Sequence, residues 1–531
     1  MKKVQRLFIV ATIIMSAFLV ACSGGNGTNS SDEKQIFIGI TNAPGSLNPI
    51  NTTDVAARHL TSIMFESLVL LEEDLEFSFR LADEITTEDN QTFIAKLNEE
   101  ASWSDGEPFT AEDVLFTLET IGHPDVITSQ TSWTTILDGF DSNGKITDDT
   151  SDLEGVQVID DHTVQFKTKT PVDINLFLEQ IGDKIKYLPK HVLEDVPPET
   201  LHQDKFMEEL NVSTGAYTLV TYKKDEYVEL EANENYYRGE PIVERFFFKV
   251  MPAANLVAQL QSGEIDMNVP GIGNISVQDF EKVKKIDDIT VKSGEPTNYQ
   301  MLFLNTETFE DVKVRQAIAH GIDREIIVEN LLKGEGEVMD VPFTKLHPYY
   351  ADINTYDYDP ELAKELLSEA NWDESNEVSI LVPTGNQIRE QAADIMAENL
   401  QKIGIKAVVQ KHDMPTHVQK GQDKEFDIFM LGLTFELDPN SINSYFDSES
   451  NWNLSGYNNP KMDELLEAGR SEVEVEKRKE IYHEIQELIL EDMPQLSLFA
   501  DYRMLAVNNR VTYGEPKEIG MFNDLYKWDV E

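Results

Sequence analysis

Hydrophobic and polar residues follow two different periods in the second half of the chain. Residues 378–382 and 405–409 are short runs rich in valine and isoleucine, and residues 426–432 are nearly all apolar. Runs of this kind predict strands that are buried in a sheet. Residues 388–403 repeat apolar side chains at helical spacing, and residues 417–421 predict a second helical connection. The order of these segments predicts a βαβαβ unit.

Strand patterns also occur in the first half of the chain, at residues 35–40, 92–97 and 163–167. Strands that alternate with helices are typical of mixed α/β domains, and a chain of 531 residues is long enough for roughly three of them. In open α/β sheets, ligands bind beyond the carboxyl ends of the strands. This rule nominates residues 383–385 and 431–434 as cleft-lining segments, with ordinary connecting loops as the alternative.

A long helix is predicted over residues 476–491. Its apolar face carries isoleucine and leucine side chains, and Lys477, Arg478 and Lys479 are on the opposite side. Charges placed in this way usually mark the solvated face of an amphipathic helix. We therefore expect these three side chains to be exposed.

The first 34 residues have the pattern of an exported and anchored protein. Basic residues precede an apolar run that is short for a permanent membrane span, which predicts a signal peptide over residues 1–21. The small residues before Cys22 resemble the lipobox of bacterial lipoproteins, in which the cysteine is lipidated. Residues 22–34 would then be the lipid anchor and a flexible tether. The predicted location is the extracellular or periplasmic face of the cell membrane; a retained span and a buried free cysteine are the alternatives.

Composition narrows the functional classes. The chain has 44 basic and 97 acidic residues, and its formal net charge of −53 repels a nucleic-acid backbone. Because Cys22 is the only cysteine, disulfides and cysteine-based zinc sites are excluded. No HExxH motif, nucleophile elbow or phosphate-binding loop occurs in the sequence. The sequence therefore predicts no enzyme, no cofactor and no metal site.

Several segments, in order along the chain, resemble one family. One of them, WSDGEPFTAEDV, also predicts a tight turn and a helix with Thr110 as N-cap and Asp113 as the acid of a capping box. Together the segments are similar to those of the oligopeptide, dipeptide and nickel solute-binding proteins of ABC importers (extracellular solute-binding family 5), in particular to oligopeptide-binding lipoproteins. The resemblance covers residues 35–525. The matching segments are 92–97, 103–114, 213–217, 261–267, 314–318, 322–325 and 456–460.

The resemblance implies an α/β fold of the periplasmic-binding-protein type, with two lobes that close about a hinge around a buried ligand. It also implies three domains, one of which is inserted into another. The hinge strands are expected near residues 305 and 505. The expected ranges are 35–75, 212–306 and 505–531 for the discontinuous domain I, 76–211 for the inserted domain II, and 307–504 for domain III, the second lobe.

The resemblance also implies how a ligand is held. In peptide-binding members the ligand backbone pairs as an extra strand with main-chain groups of both lobes. The positions carried over to this chain lie after the first strand and at the end of the apolar run. They are Asn42, Ala43 and Pro44 in the first lobe, and Gly432, Leu433 and Thr434 in the second.

One position departs from the family pattern. Several members have an aspartate that binds the amino group of the peptide, and this chain has Phe435 there. Glu436 or Asp438 could substitute for that aspartate. Three further residues are expected to line the pocket, with aromatic faces against ligand side chains: Trp452, Asn453 and Tyr457. For Trp452 the alternative is an edge residue that only packs on its lobe.

The sequence thus predicts a monomeric, lipid-anchored receptor that captures oligopeptides and delivers them to the permease of an ABC transporter. One alternative is the same fold with a non-peptide solute, such as an oligosaccharide or a nickel or haem chelate. The other is a receptor for signalling peptides that takes no part in uptake.

Overall fold

The computed structural model describes residues 33–52, 54–147, 153–294, 296–353 and 356–531. The predicted signal peptide, Cys22 and nearly all of the tether lie outside these residues, so their predictions stay untested. No helix in the described ranges is both long enough and apolar enough to cross a bilayer.

A seven-stranded sheet organises the first lobe. Its central strand β1, Gln35–Ile40, pairs in parallel with β10, Arg245–Val250, on one side and with β11, Met267–Asn268, on the other. Four of the six residues of β1 are buried, and the other two are half-buried. In spatial order the strands are β12 Ile289–Ser293, β19 Met504–Asn508, β11 Met267–Asn268, β1, β10 Arg245–Val250, β9 Tyr227–Ala232 and β8 Tyr217–Lys223.

A four-stranded antiparallel sheet shares a continuous apolar core with one face of the seven-stranded sheet. In spatial order it consists of β4 Ala82–Thr87, β5 Thr92–Leu97, β7 Thr163–Lys167 and β6 Val156–Asp160. Two small pairs complete the strands of this lobe: β2 Val69–Leu71 with β3 Phe77–Phe79, and β20 Val511–Tyr513 with β21 Asp529–Val530.

A six-stranded mixed sheet organises the second lobe, and apolar clusters cover both of its faces. Burial on both faces accounts for the nearly unbroken apolar run of strand β17, Ile428–Thr434. In spatial order the strands are β14 Gly336–Val338, β18 Gln495–Asp501, β13 Asn298–Leu304, β17 Ile428–Thr434, β15 Glu377–Pro383 and β16 Lys406–His412.

The α-helices pack against these sheets. In the first lobe they are α1 Val55–Met64, α2 Ala111–Gly122, α3 Thr131–Thr134, α4 Ile174–Phe177, α5 Lys190–Leu193, α6 Phe206–Glu209, α7 Ala253–Ser262 and α8 Phe280–Val283. In the second they are α9 Val312–Gly321, α10 Arg324–Ile326, α11 Pro360–Glu369, α12 Gln387–Lys402, α13 Met414–Gln422, α14 Asn443–Phe446, α15 Pro460–Ser471 and α16 Val475–Asp492.

The predicted βαβαβ unit is confirmed. Strands β15, β16 and β17 are parallel, and helices α12 and α13 connect them in the predicted order. The predicted capping box at the start of α2 is also confirmed, because the Thr110 N–H donates to the Asp113 carboxylate at 2.9 Å. Local signals were sufficient here, since side chains within a few positions of each other determine these features.

The chain passes between the lobes after β12, which ends at Ser293, and before β13, which begins at Asn298; it returns between Asp501 and Met504. The first crossing comes before the expected boundary at residue 306, because Asn298–Leu304 is the strand between β17 and β18 in the second sheet. Residues 298–304 therefore pair within the sheet of the second lobe, whereas the expected division assigns them to domain I. The rest of the three-domain division stays a prediction.

Candidate functional site

Strand β17 has an unpaired edge where it leaves the second sheet. Its pairing with β15 ends at Phe429, and within the described residues no strand continues along that side. The Phe435 N–H donates to the Thr297 carbonyl on the β13 side at 2.7 Å. Because main-chain groups alternate between the two sides of a strand, those of Gly432 and Thr434 point away from β13. We call the Gly432–Thr434 segment on this side the open edge.

The side chains of the open edge leave room beside it. Thr434 is exposed, and Gly432 and Leu433 are half-buried. A side chain at Gly432 would place its Cβ 2.4 Å from the Arg389 guanidinium, so only glycine lets Arg389 lie over this position. The predicted cleft-lining segment 431–434 thus carries free main-chain groups at the end of its strand.

The first-lobe segment that was expected to face the ligand follows β1 directly. Asn42 is exposed, and its N–H donates to the Ile272 carbonyl at 3.1 Å. Ala43 is half-buried. Pro44 is buried, and its carbonyl accepts from the Tyr222 hydroxyl. Asn42 and Ala43 are therefore the accessible members of this segment.

The two lobes meet beside the open edge, along what we call the seam: Asp173, Glu179 and Lys184 of the first lobe against Glu436, Asp438 and Arg478 of the second. At its centre Glu179 accepts two main-chain hydrogen bonds across the lobes, from the N–H of Leu437 at 2.8 Å and of Asp438 at 2.7 Å. Its side chain is 3% exposed. Burial raises the pKa of Glu179 to about 8, with Glu436 and Asp438 adding to the rise and Lys184 opposing it.

Arg478 lies at the buried end of the seam, so the prediction that it is exposed is wrong. Its guanidinium binds both Asp438 oxygens, at 2.7 and 2.9 Å, and lies 3.8 Å from the Asp173 carboxylate. Its Nε also donates to the Gly469 carbonyl at 2.8 Å. The helix turns this side chain inward because the seam supplies the carboxylates that a buried guanidinium needs. Lys477 is exposed as predicted, whereas Lys479 is half-buried.

Glu436, a predicted ligand contact, is paired across the seam. The Lys184 ammonium lies 3.4 Å from its carboxylate and 3.6 Å from that of Asp183. The same ammonium is 5.9 Å from the centre of the Trp133 ring. Phe435 packs against the His347 ring at 5.5 Å between centroids. Glu436 therefore lies between the lobes. It is one of the two residues named above as a substitute for the aspartate that other family members have.

Two predicted pocket residues lie at the other end of the second sheet. The Thr306 N–H, just beyond β13, donates to the Ser455 carbonyl, whereas the open edge lies beside the first residue of β13. The Asn453 amide donates to the Tyr457 carbonyl at 2.6 Å, and the Tyr457 hydroxyl donates to Asp492 at 2.5 Å. Asn453 and Tyr457 thus build a buried turn away from the open edge, and their assignment to the pocket stays a prediction.

Trp452 has the contacts of the alternative, an edge residue that packs on its lobe. Its side chain is 39% exposed, and its ring contacts the Tyr445 ring edge-on at 6.5 Å. Tyr445 in turn packs against Phe303, near the end of β13 that lies away from the open edge. The contacts of Trp452 are therefore those of an edge residue that packs on its lobe.

Two histidines near the seam are held neutral. Burial lowers the pKa of His59 to about 4, and the cations Arg58, Arg503 and Lys184 lower it further. Burial also lowers the pKa of His347 to about 3. His59 belongs to helix α1 of the first lobe, and sequence patterns did not single it out. Neither histidine supplies positive charge to the site at neutral pH.

Comparison with known proteins places this geometry in a family. The family model described as bacterial extracellular solute-binding proteins, family 5, middle, matches residues 76–453. The oligopeptide-binding protein AppA of Bacillus subtilis is 28% identical to the chain, and the alignment covers 99% of both proteins.

Solved structures of two bacterial binding proteins also resemble this chain. AppA from Bacillus subtilis in complex with a nonapeptide superposes with a TM-score of 0.79 at 25% identity, covering 94% of this chain and 99% of that one. The ABC transporter substrate-binding protein CtaP from Listeria monocytogenes superposes with a TM-score of 0.82 at 25% identity, with the same coverage. The two-lobed α/β fold expected from the sequence is confirmed. Because the family model covers well over half of its length, the chain belongs to the bacterial extracellular solute-binding proteins of family 5.

Proposed function

We propose that this protein is a lipid-anchored receptor that captures oligopeptides between its lobes and delivers them to the permease of an ABC transporter. The observation that carries the proposal is the open edge of β17. A peptide in extended conformation pairs with such an edge through main-chain hydrogen bonds, which depend little on the side chains of the peptide. Family membership and the likeness to AppA with its nonapeptide support this assignment.

In this proposal the first lobe completes the site across from the open edge. The seam joins the lobes next to Glu436, and Ile388 in the first turn of α12 packs against the first-lobe cluster that contains Met251 and Ile275. Asn42 and Ala43 are the accessible residues of the first-lobe segment. A peptide on the open edge would therefore be enclosed when the lobes close.

The proposal is tested by native mass spectrometry of the protein that starts at residue 33, after incubation with a protein digest. We expect a ladder of bound masses that fragment as peptides. A single adduct that fragments as a sugar, or that contains nickel or haem, would replace the peptide assignment with a non-peptide solute. Growth on peptides that persists after deletion of the gene would favour a signalling receptor over uptake.

Anchoring is tested separately in the cells that produce the protein. We expect the full-length protein to fractionate with membranes and a Cys22→Ser variant to lose its lipid and appear in the soluble fraction. Equal membrane association of both proteins would overturn the lipid anchor.

Peptide affinity should fall by about tenfold between pH 6.5 and 8.5. The pKa of Glu179 is raised to about 8 where the lobes meet, from an ordinary 4.5, so closure takes up a proton. A raised pKa stabilises the closed state below the ordinary pKa, and this contribution is lost as pH rises through the raised value. His59 has the opposite sign, but its lowered pKa confines its effect to pH below about 6.5.

The measurement is isothermal titration calorimetry with one peptide across this pH range. Glu179→Gln is the control, because a glutamine has nearly the same shape and cannot ionise. We expect the variant to show a flat profile. An equally steep fall in the variant would assign the pH dependence to another group.

A further inference from the structure

We propose that the cleft binds peptides without recognising their free amino group, and that Lys184 determines this selectivity. Peptides with a blocked amino terminus would then bind with the same affinity as peptides with a free one. The same would hold for long peptides whose amino terminus lies outside the cleft. The inference rests on the proposed function, since it concerns how a peptide on the open edge is selected.

A free amino terminus is a cation at neutral pH, and a half-buried cation needs a carboxylate partner. Glu436 is the carboxylate nearest along the chain to the open edge, two residues after Thr434. Its side chain is 29% exposed, and that of Lys184 is 27% exposed. At 3.4 Å, the Lys184 ammonium already takes the position beside Glu436 that the ammonium of a ligand would need.

Lys184 is held firmly in this place. Burial disfavours its charged form, but the carboxylates of Glu436, Asp183 and Glu179 outweigh this effect and raise its pKa. The Trp133 ring adds a cation–π contact at 5.9 Å. A ligand ammonium would have to displace a cation that the carboxylates of Glu436 and Asp183 stabilise.

The other carboxylates of the seam are already engaged. Both oxygens of Glu179 accept main-chain N–H groups, and Asp438 is bound at both oxygens by Arg478. Asp173 accepts the Asn175 N–H at 2.8 Å and lies 3.8 Å from Arg478. Each of these partners belongs to the chain itself. The amino group of a ligand would therefore find no unpaired carboxylate in the seam. Acetylation of that amino group would remove no ion pair.

The test compares two forms of one oligopeptide, with a free and with an acetylated amino terminus, by isothermal titration calorimetry at pH 6.5. For the unaltered protein we expect affinities within about threefold of each other, because the seam offers no vacant carboxylate. Lys184→Met removes the competing charge and keeps the length of the side chain. We expect this variant to prefer the free peptide by at least about tenfold, since Glu436 is released.

A control variant and a double variant identify which residues cause the preference for the free peptide. Lys186→Met is the matched control, because Lys186 binds the Ser67 hydroxyl and the Asp183 carbonyl at 3.1 and 2.9 Å and makes no contact with Glu436. It should leave the ratio of the two affinities unchanged. The double variant Lys184→Met/Glu436→Gln should return the ratio to that of the unaltered protein. Lys184→Gln provides a second, polar replacement if the methionine variant does not fold.

The outcomes separate this inference from the proposed function. A preference of the unaltered protein for the free peptide by tenfold or more would overturn the inference and leave peptide binding intact. So would an unchanged ratio in both Lys184 variants. If neither form of several oligopeptides binds the unaltered protein or any variant, the proposed function fails and the inference fails with it.

Discussion

Replacing Arg478 by methionine should lower the free energy of unfolding by about 3–5 kcal/mol. Methionine fills a similar volume but removes the charge that two buried carboxylates share. Asp438 and Asp173 are 3% and 4% exposed, so each would stay in a poorly solvated place without its cation. The loss also includes the bond to Gly469 and the packing of the guanidinium on the rings of Tyr349 and Tyr482, at 5.6 and 5.7 Å.

The neighbouring Lys477 offers a matched control on the same helix. Its side chain is 61% exposed and pairs with Glu474 one turn away. Exposed pairs of this kind contribute little, so Lys477→Met should change the free energy of unfolding by no more than about 0.5 kcal/mol. Urea denaturation of both variants, followed by tryptophan fluorescence, measures the difference.

A second variant isolates the charge from the packing. Adding Asp438→Asn to Arg478→Met should recover part of the lost stability, because the uncompensated buried charge is removed. A cost below about 1 kcal/mol for Arg478→Met alone would contradict a buried ion pair at this place.

Thr434→Pro should weaken peptide binding by about 10- to 100-fold, which corresponds to one lost hydrogen bond and the clash of the ring with the ligand backbone. The N–H of Thr434 points to the open edge and away from β13. Its removal therefore leaves the pairing within the sheet unchanged, and proline is tolerated at unpaired edge positions. The extended conformation of Leu433 suits a residue that precedes proline.

Thr434→Val is the control for this experiment. Valine keeps the branched shape and the main-chain N–H, and both variants lose the contact of the hydroxyl with the Asn298 side chain, which is 3.3 Å long. We expect the valine variant to bind peptide within about threefold of the unaltered protein. Calorimetry measures affinity, and thermal melting verifies that both variants are folded. Equal affinities of the proline and valine variants would show that ligands do not pair with the open edge.

The sequence by itself determined the features that depend on neighbours along the chain. The βαβαβ unit follows from the periods of apolar residues, because a buried strand and an amphipathic helix each impose their own spacing. The capping box of α2 joins Thr110 and Asp113, three positions apart. Family membership was also readable, since the motifs that carry it are short segments in a constant order. The end of β17 was readable for the same reason, because strand ends are local signals; its role as a ligand site stays a prediction.

Only the tertiary structure decided which charged residues are buried and what they contact. In the sequence, Arg478 is one of three basic residues on a helix face that is predicted to be solvated. In the structure its guanidinium binds Asp438, 40 positions earlier. Glu179 meets the main chain 258 positions away, and Lys184 meets Glu436 across the same seam. Asn453 and Tyr457 fit a pocket by their residue types, yet folding places them at the far end of the sheet. Periodicity reports which face of an element is buried, whereas the partner of a charge depends on how separate elements pack.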